Sequence, residues 1–157
     1  MDIVTAILLV MLGTVLGYLA TKLSSWQENS SRRQLLIGML KYELRRVKDQ
    51  FPPYDTTCVF HRDPLRFASI DELLDGECLS YKNDGHLIQE LLFFRIAVTR
   101  YNDFISVSNY TQNYGNMPND VHHEVFNIIS NYHGLVREIK ARILPLLPQD
   151  VPEVGGP

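Results

Sequence analysis

The sequence predicts an all-α protein in which one N-terminal transmembrane helix is followed by a small cytoplasmic helical bundle. Three observations support this fold class. Residues 3–20 contain no charged side chain, apolar residues recur at helical spacing through the rest of the chain, and no alternating pattern typical of paired strands stands out. We divide the 157 residues into a transmembrane anchor (1–25), a helical domain (26–144) and a Pro-rich flexible tail (145–157).

The anchor prediction depends on the eighteen uncharged residues 3–20. As a helix they would extend about 27 Å, close to the ~30 Å hydrocarbon thickness of a bilayer. A cleaved signal peptide is the alternative, but Met1 and Asp2 provide no basic n-region and the run is longer than a usual h-region. The pattern therefore favours a retained anchor in contact with membrane lipid.

The orientation of this anchor follows from the distribution of charge. No basic residue precedes the uncharged residues 3–20, and seven follow them before residue 51: Lys22, Arg32, Arg33, Lys41, Arg45, Arg46 and Lys48. The positive-inside rule places the N-terminus outside and the helical domain in the cytoplasm, at the inner (cytoplasmic) membrane. Cys58 and Cys78 should stay reduced there. The basic residues either attract anionic lipid headgroups or form an ordinary solvated face.

A glycine pair inside the anchor suggests association between copies. Gly13 and Gly17 are four residues apart, which lets two helix backbones approach closely and predicts a homo-oligomer. The alternative is that glycine is simply common in membrane helices. One span cannot enclose a transport path, so any action on the membrane would require an oligomer.

The helical domain is expected to contain four helices, at about residues 29–50, 69–74, 84–106 and 118–144. The apolar stripe of the third helix is expected at Leu87, Leu91, Phe94, Val98, Tyr101 and Ile105, widened by Ile88, Leu92 and Ile96, and that of the last helix at Val121, Val125, Ile128, Tyr132, Leu135, Ile139 and Ile143. The first can continue directly from the anchor, because residues 24–31 contain no proline or glycine. Ser69 to Glu72 match a capping box, Asp84 can cap the third helix, and Pro118 suits a first helical turn. Four prolines from residue 145 onward indicate a tail without regular structure.

Catalytic and metal-binding signatures are incomplete, so the sequence predicts neither an enzyme nor a cofactor. The His61-Arg62-Asp63 tripeptide lacks the glycine-rich loop and metal-binding aspartate that a kinase needs. His122 and His123 are adjacent, so on a helix they cannot chelate one metal ion together. For Cys58 and Cys78, packing is the simplest role. The formal charge of −3 argues against binding duplex nucleic acid.

Residues 100–117 interleave asparagine with tyrosine and are predicted to form a loop between the last two helices. Asparagine can read the edge of adenine, tyrosine can stack on a base, and arginine can balance phosphate. The candidate ligand-binding residues are Arg100, Asn109, Tyr110, Asn113 and Tyr114. The alternative is an ordinary interhelical loop, in which asparagine and glycine serve turns and caps.

Three features together resemble the membrane-bound antiviral effectors of type III CRISPR systems. They are the uncharged residues 3–20, the helix over residues 35–47 and the adenine-compatible residues 109–114. The resemblance implies that the cytoplasmic domain binds a cyclic oligoadenylate and that an oligomer then perturbs the membrane. A symmetric ligand suits a symmetric oligomer. The alternative function is a single-span membrane scaffold or adaptor whose helical domain binds a protein partner and no nucleotide.

Overall fold

The computed structural model describes residues 3–48, 64–76, 78–114 and 118–154, with the backbone alone at 3–10, 109–114, 119, 120 and 122. The helices are α1 (Ile3–Arg46), α2 (Ala68–Asp75), α3 (Tyr81–Tyr114) and α4 (Asn119–Ile143), and a 3₁₀ turn follows at Leu144–Leu146. These residues contain no strand, so the all-α prediction is confirmed. Within the described part of the chain, no helix combines the length and apolar character needed to cross a membrane.

The first helix runs without interruption from the N-terminal residues into the bundle. Its 44 residues extend about 66 Å, at ~1.5 Å per residue. The predicted continuation through residues 24–31 is therefore confirmed, because no proline or glycine ends the helix there. Only the C-terminal part of α1 lies in the core, where Leu36, Leu40 and Leu44 are buried.

The core is formed where α1, α2, α3 and α4 meet. The predicted stripe of α3 is buried as expected, at Leu87, Leu91, Phe94, Val98, Tyr101 and Ile105. Leu92 and Ile96, expected to widen that stripe, are exposed instead. On α4 the buried face contains Ile129, Val136 and Ile139, whereas Leu135 of the predicted stripe is exposed. The helical period of α3 and α4 is thus predicted correctly, whereas the width and centre of their apolar faces are not.

Helix α3 kinks at its predicted cap position and ends beyond its predicted bound. The helix is assigned from Tyr81, but the backbone of Asp84 is non-helical (φ −116°, ψ 15°), so one turn precedes a kink at the expected cap, and the Asp84 carboxylate accepts the Ser80 backbone N–H at 2.9 Å. The helix continues to Tyr114, past its expected end at about residue 106, so the predicted loop is wrong over residues 107–114. No proline or glycine occurs between residues 86 and 114, and Ile105 and Ser108 are buried, so packing extends the helix beyond what the asparagines suggested.

The Pro-rich segment after α4 lies along α1, contrary to the flexible tail predicted from residue 145. Leu147 and Val151 are buried in the core, and the Val154 N–H donates to the Gly38 carbonyl at 3.2 Å. The Lys41 ammonium donates to the carbonyls of Pro148 at 2.5 Å and Val151 at 2.7 Å. Proline prevents regular structure here, but burial and these hydrogen bonds hold the segment through residue 154.

This contact leads to a prediction about Gly38, where an added Cβ would lie 2.6 Å from the Pro152 carbonyl oxygen. Gly38→Ala should lower the free energy of unfolding by about 1–3 kcal/mol, because α1 and the segment must separate. Chemical denaturation measures the change. Gly134→Ala is the matched control: nothing lies within 4 Å of its added Cβ, so it should stabilise the chain by about 0.5–1 kcal/mol. A Gly38→Ala variant as stable as the parent would contradict the packing described.

Candidate functional site

The part of α1 that precedes the bundle exposes large apolar side chains along one side of the helix. We call residues 11–26 the exposed segment. Exposed fractions in it range from 49% at Leu19 to 71% at Trp26, and the eight large side chains are Met11, Leu12, Val15, Leu16, Tyr18, Leu19, Leu23 and Trp26. At 100° per residue these eight positions cover about 160° of the helix, and small residues, among them Gly13, Gly17 and Ala20, lie on the opposite side. A contiguous apolar surface of this size marks an interaction with a membrane or a protein.

Two hydroxyl groups in the exposed segment are satisfied by the helix itself. Thr21 Oγ1 donates to the Gly17 carbonyl at 2.9 Å, and Ser25 Oγ donates to the Lys22 carbonyl at 3.0 Å. An unpaired hydroxyl is costly to remove from water, and a hydrogen bond within the helix lowers that cost. These residues are therefore compatible with an apolar environment.

Aromatic and basic side chains gather toward the bundle end of the exposed segment. Tyr18, Lys22 and Trp26 follow one another at four-residue intervals. The Lys22 Nζ lies 5.6 Å from the centroid of the Tyr18 ring, within the range of a cation–π contact. Amphipathic rings and a long cationic side chain of this kind anchor helices at a membrane–water interface.

The predicted oligomerisation residues lie on this same segment. A Cβ built on Gly13 or Gly17 meets nothing within 4 Å, so the surface beside both glycines is open to another helix. Their spacing places them on one face of α1. Association through this pair stays a prediction.

Most of the basic residues after the exposed segment stabilise the bundle. Arg32 pairs with Glu72 at 3.5 Å, Arg33 with Asp84 at 2.6 Å, and Arg45 with Glu153 at 2.6 Å. Lys41 binds the carbonyls of the Pro-rich segment, as described above. Four of the seven basic residues thus have partners inside the protein, which weakens the interpretation of this face as a lipid-binding surface.

The predicted nucleotide-binding residues lie along one helix, α3. Arg100 is exposed on α3, and Asn109, Tyr110, Asn113 and Tyr114 are all helical in backbone, with side chains outside the described part. Fourteen residues of helix separate the first from the last, about 21 Å along the axis. Tyr110 and Tyr114 share one face by their spacing, and Asn109 and Asn113 share a neighbouring one.

One asparagine of the same stretch has a structural role that the sequence did not reveal. Asn102 Oδ1 accepts the Leu65 backbone N–H at 2.8 Å, and Asn102 Nδ2 donates to the Leu65 carbonyl at 2.8 Å. This pair of hydrogen bonds fixes residues 64–67 against α3. The contact joins residues 37 apart in sequence, so no local pattern could have indicated it.

A cleft of roughly 310 Å³ lies between residues 65–71 and α3. The rings of Phe67 and Phe94 meet edge to face in its wall, with centroids 4.9 Å apart. Two of its lining residues are cations: Arg66, which is exposed, and Arg95, which lies 3.5 Å from Asp71 and 3.7 Å from Asp75. An anionic ligand would have to compete with these carboxylates for Arg95.

Metal-binding and thiol chemistry find little support in the described residues. No group of three or more His, Cys, Asp or Glu among them could hold a metal ion. The Cys78 thiol is buried and lies 3.4 Å from the Gly76 carbonyl oxygen, a packing environment. Cys58, His61 to Asp63 and the side chain of His122 lie outside the described residues.

Comparison with known proteins yields no relative. No family model, no curated protein and no solved structure matches this chain. The function of this chain must therefore be inferred from the exposed segment and the other described residues.

Proposed function

We propose that this protein is a single-span membrane adaptor: residues 3–20 anchor it, and the helical bundle in the cytoplasm binds a protein partner. The exposed segment of α1 is the observation that carries the proposal. Its eight large apolar side chains find no cover in the part of the chain that the structure describes. Burial of one such side chain is worth roughly 1.5–3 kcal/mol, so eight together drive the segment strongly out of water.

The proposed span includes residues 3–10, whose side chains lie outside the described part. Taken together, residues 3–20 provide eighteen positions without a charge on one unbroken helix. Lys22 and the basic residues that follow it support a cytoplasmic bundle and an external N-terminus. The internal hydrogen bonds of Thr21 and Ser25 lower the cost of bringing these two hydroxyls into the interface.

A protein partner is favoured over a nucleotide. The cyclic-oligoadenylate effector was expected to read adenine through a loop, and the described residues 107–114 of that stretch are helical. Asn102, the described asparagine of that stretch, is fully engaged by the Leu65 backbone. The bundle instead exposes apolar side chains, among them Phe93, Ile96 and Leu135. Such side chains are typical of protein-binding surfaces. The cyclic-oligoadenylate effector keeps only its resemblance in layout as support.

Membrane extraction tests the anchor. The parent chain should stay in the membrane pellet after alkaline carbonate washing. Leu12→Arg combined with Leu16→Arg should move it to the supernatant, because each arginine costs about 2.5–3.5 kcal/mol at the centre of a membrane helix.

Leu135→Arg serves as the control, since it adds the same charge to an exposed position of α4 and should remain in the pellet. A parent chain washed off by carbonate, or a double-arginine variant retained like the parent, would refute the anchor.

A further inference from the structure

The side of α3 that points away from the core carries a regular pattern of exposed residues. We call Phe93, Ile96, Arg100, Asp103 and Val107 the outer face of α3. They follow one another at intervals of three and four residues, and all five are exposed, with fractions of 47% at Phe93, 59% at Ile96 and 54% at Val107. This spacing places them on one stripe of the helix, as in the seam of a coiled coil.

The two charges at the centre of this face have no partner in the described part of the chain. None of the ion pairs among the described residues includes Arg100 or Asp103, and these two do not pair with each other. Arg95, one turn earlier on the flank of α3, is paired with two carboxylates of α2. The outer face therefore presents, between apolar neighbours, one cation and one anion that have no ion-pair partner among the described residues.

The order of residues on the outer face is symmetric about its centre. From the midpoint between Arg100 and Asp103, each direction along the helix reaches first a charge and then an aliphatic side chain, Ile96 on one side and Val107 on the other. Phe93 comes next in one direction and position 110, a tyrosine, in the other. A face with this symmetry is complementary to a second copy of itself turned by 180°.

We propose that the protein partner of the bundle is a second copy of this chain, packed through the outer faces of two antiparallel α3 helices. Arg100 of each copy then faces Asp103 of the other, and Ile96 faces Val107. A parallel arrangement would oppose Arg100 to Arg100 and Asp103 to Asp103, which like-charge repulsion disfavours.

This inference rests on the proposed function, because it names the partner of the adaptor domain. The outer face runs from residue 93 to residue 107, fourteen helical steps or about 21 Å of helix. A contact of this length buries less than the ~800 Å² per partner of a standard interface. The dimer should dissociate on dilution.

Site-specific disulfide formation tests the arrangement. Two populations of the full chain, Ile96→Cys and Val107→Cys, are mixed in detergent and oxidised, and the parent chain gives the background from Cys58 and Cys78. The mixed pair should form the dominant cross-link. Arg100→Asp in both populations should reduce its yield at least tenfold, and adding Asp103→Arg should restore it.

Lys82→Asp is the matched control: it makes the same change of charge at an exposed position of α3 outside the outer face and should leave the yield unchanged. Circular dichroism verifies that each variant is folded. A dominant Ile96→Cys self-cross-link would mean a parallel dimer and overturn the proposal. Background-level yield, as expected if the face binds a different protein, or a yield insensitive to the charge exchange, would also overturn it.

Carbonate extraction of the same variants separates this inference from the proposed function. Chains that lose the cross-link but stay in the membrane pellet support the α3 interface, with the anchor intact. Chains that form the mixed cross-link but are released by carbonate support the interface while contradicting the membrane anchor.

Discussion

Replacing Phe94 by alanine is expected to lower the free energy of unfolding by about 3–5 kcal/mol. Phe94 is fully buried in the core and packs edge to face against Phe67. Removal of its ring leaves a cavity at the junction of α3 with residues 65–71, and the neighbours can fill it only in part. Urea denaturation followed by far-UV circular dichroism measures the loss.

The preceding residue supplies the control for this substitution. Phe93 is 47% exposed, so Phe93→Ala should cost far less stability than Phe94→Ala. Because Phe93 belongs to the outer face of α3, the same change should weaken the α3 cross-link. Equal costs at both positions would mean that the buried face of α3 is assigned incorrectly.

Arg142→Met is expected to destabilise the bundle by about 3 kcal/mol, because it leaves the buried Glu90 carboxylate without its cation. Arg142 Nε donates to Glu90 Oε2 at 3.0 Å, and the Glu90 side chain is 11% exposed. Adding Glu90→Leu should recover most of the loss, since an apolar pair needs no compensating charge. Thermal or urea denaturation of the three chains measures these differences.

Arg142 also reaches Glu138 at 2.9 Å, one turn earlier on the surface of α4, and this second pair gives the comparison. Glu138→Ala should change stability by less than about 0.5 kcal/mol, because exposed i,i+4 pairs contribute little. If Glu138→Ala cost as much as Arg142→Met, burial would not be the source of the energy of the Glu90 pair.

Helical periodicity predicted the fold class and much of the core. The stripe from Leu87 to Ile105 needs no knowledge of neighbouring elements, because each buried position follows from a 3.6-residue repeat. The end of α3 could not be predicted in this way. Asparagine has low helix propensity, but burial of Ile105 and Ser108 outweighs that preference, and packing partners are not visible in a local pattern.

Contacts between distant segments account for the other differences. The Pro-rich segment appeared unstructured because proline excludes helix and sheet, yet Lys41, 107 residues from Pro148, holds it in place. The Asn102–Leu65 contact is equally remote in sequence. The exposed segment, in contrast, was predictable, since no charged residue occurs in the chain from residue 3 to residue 21.

Because α1 is unbroken, the exposed segment and the bundle form one rigid unit. No flexible joint interrupts the backbone between Trp26 and the buried Leu36. A rotation or tilt of one end about the helix axis therefore rotates or tilts the other end by the same angle. One residue inserted between them would turn the bundle by about 100° about the helix axis and redirect the outer face of α3. The length of this connection, more than its composition, sets which way the bundle faces.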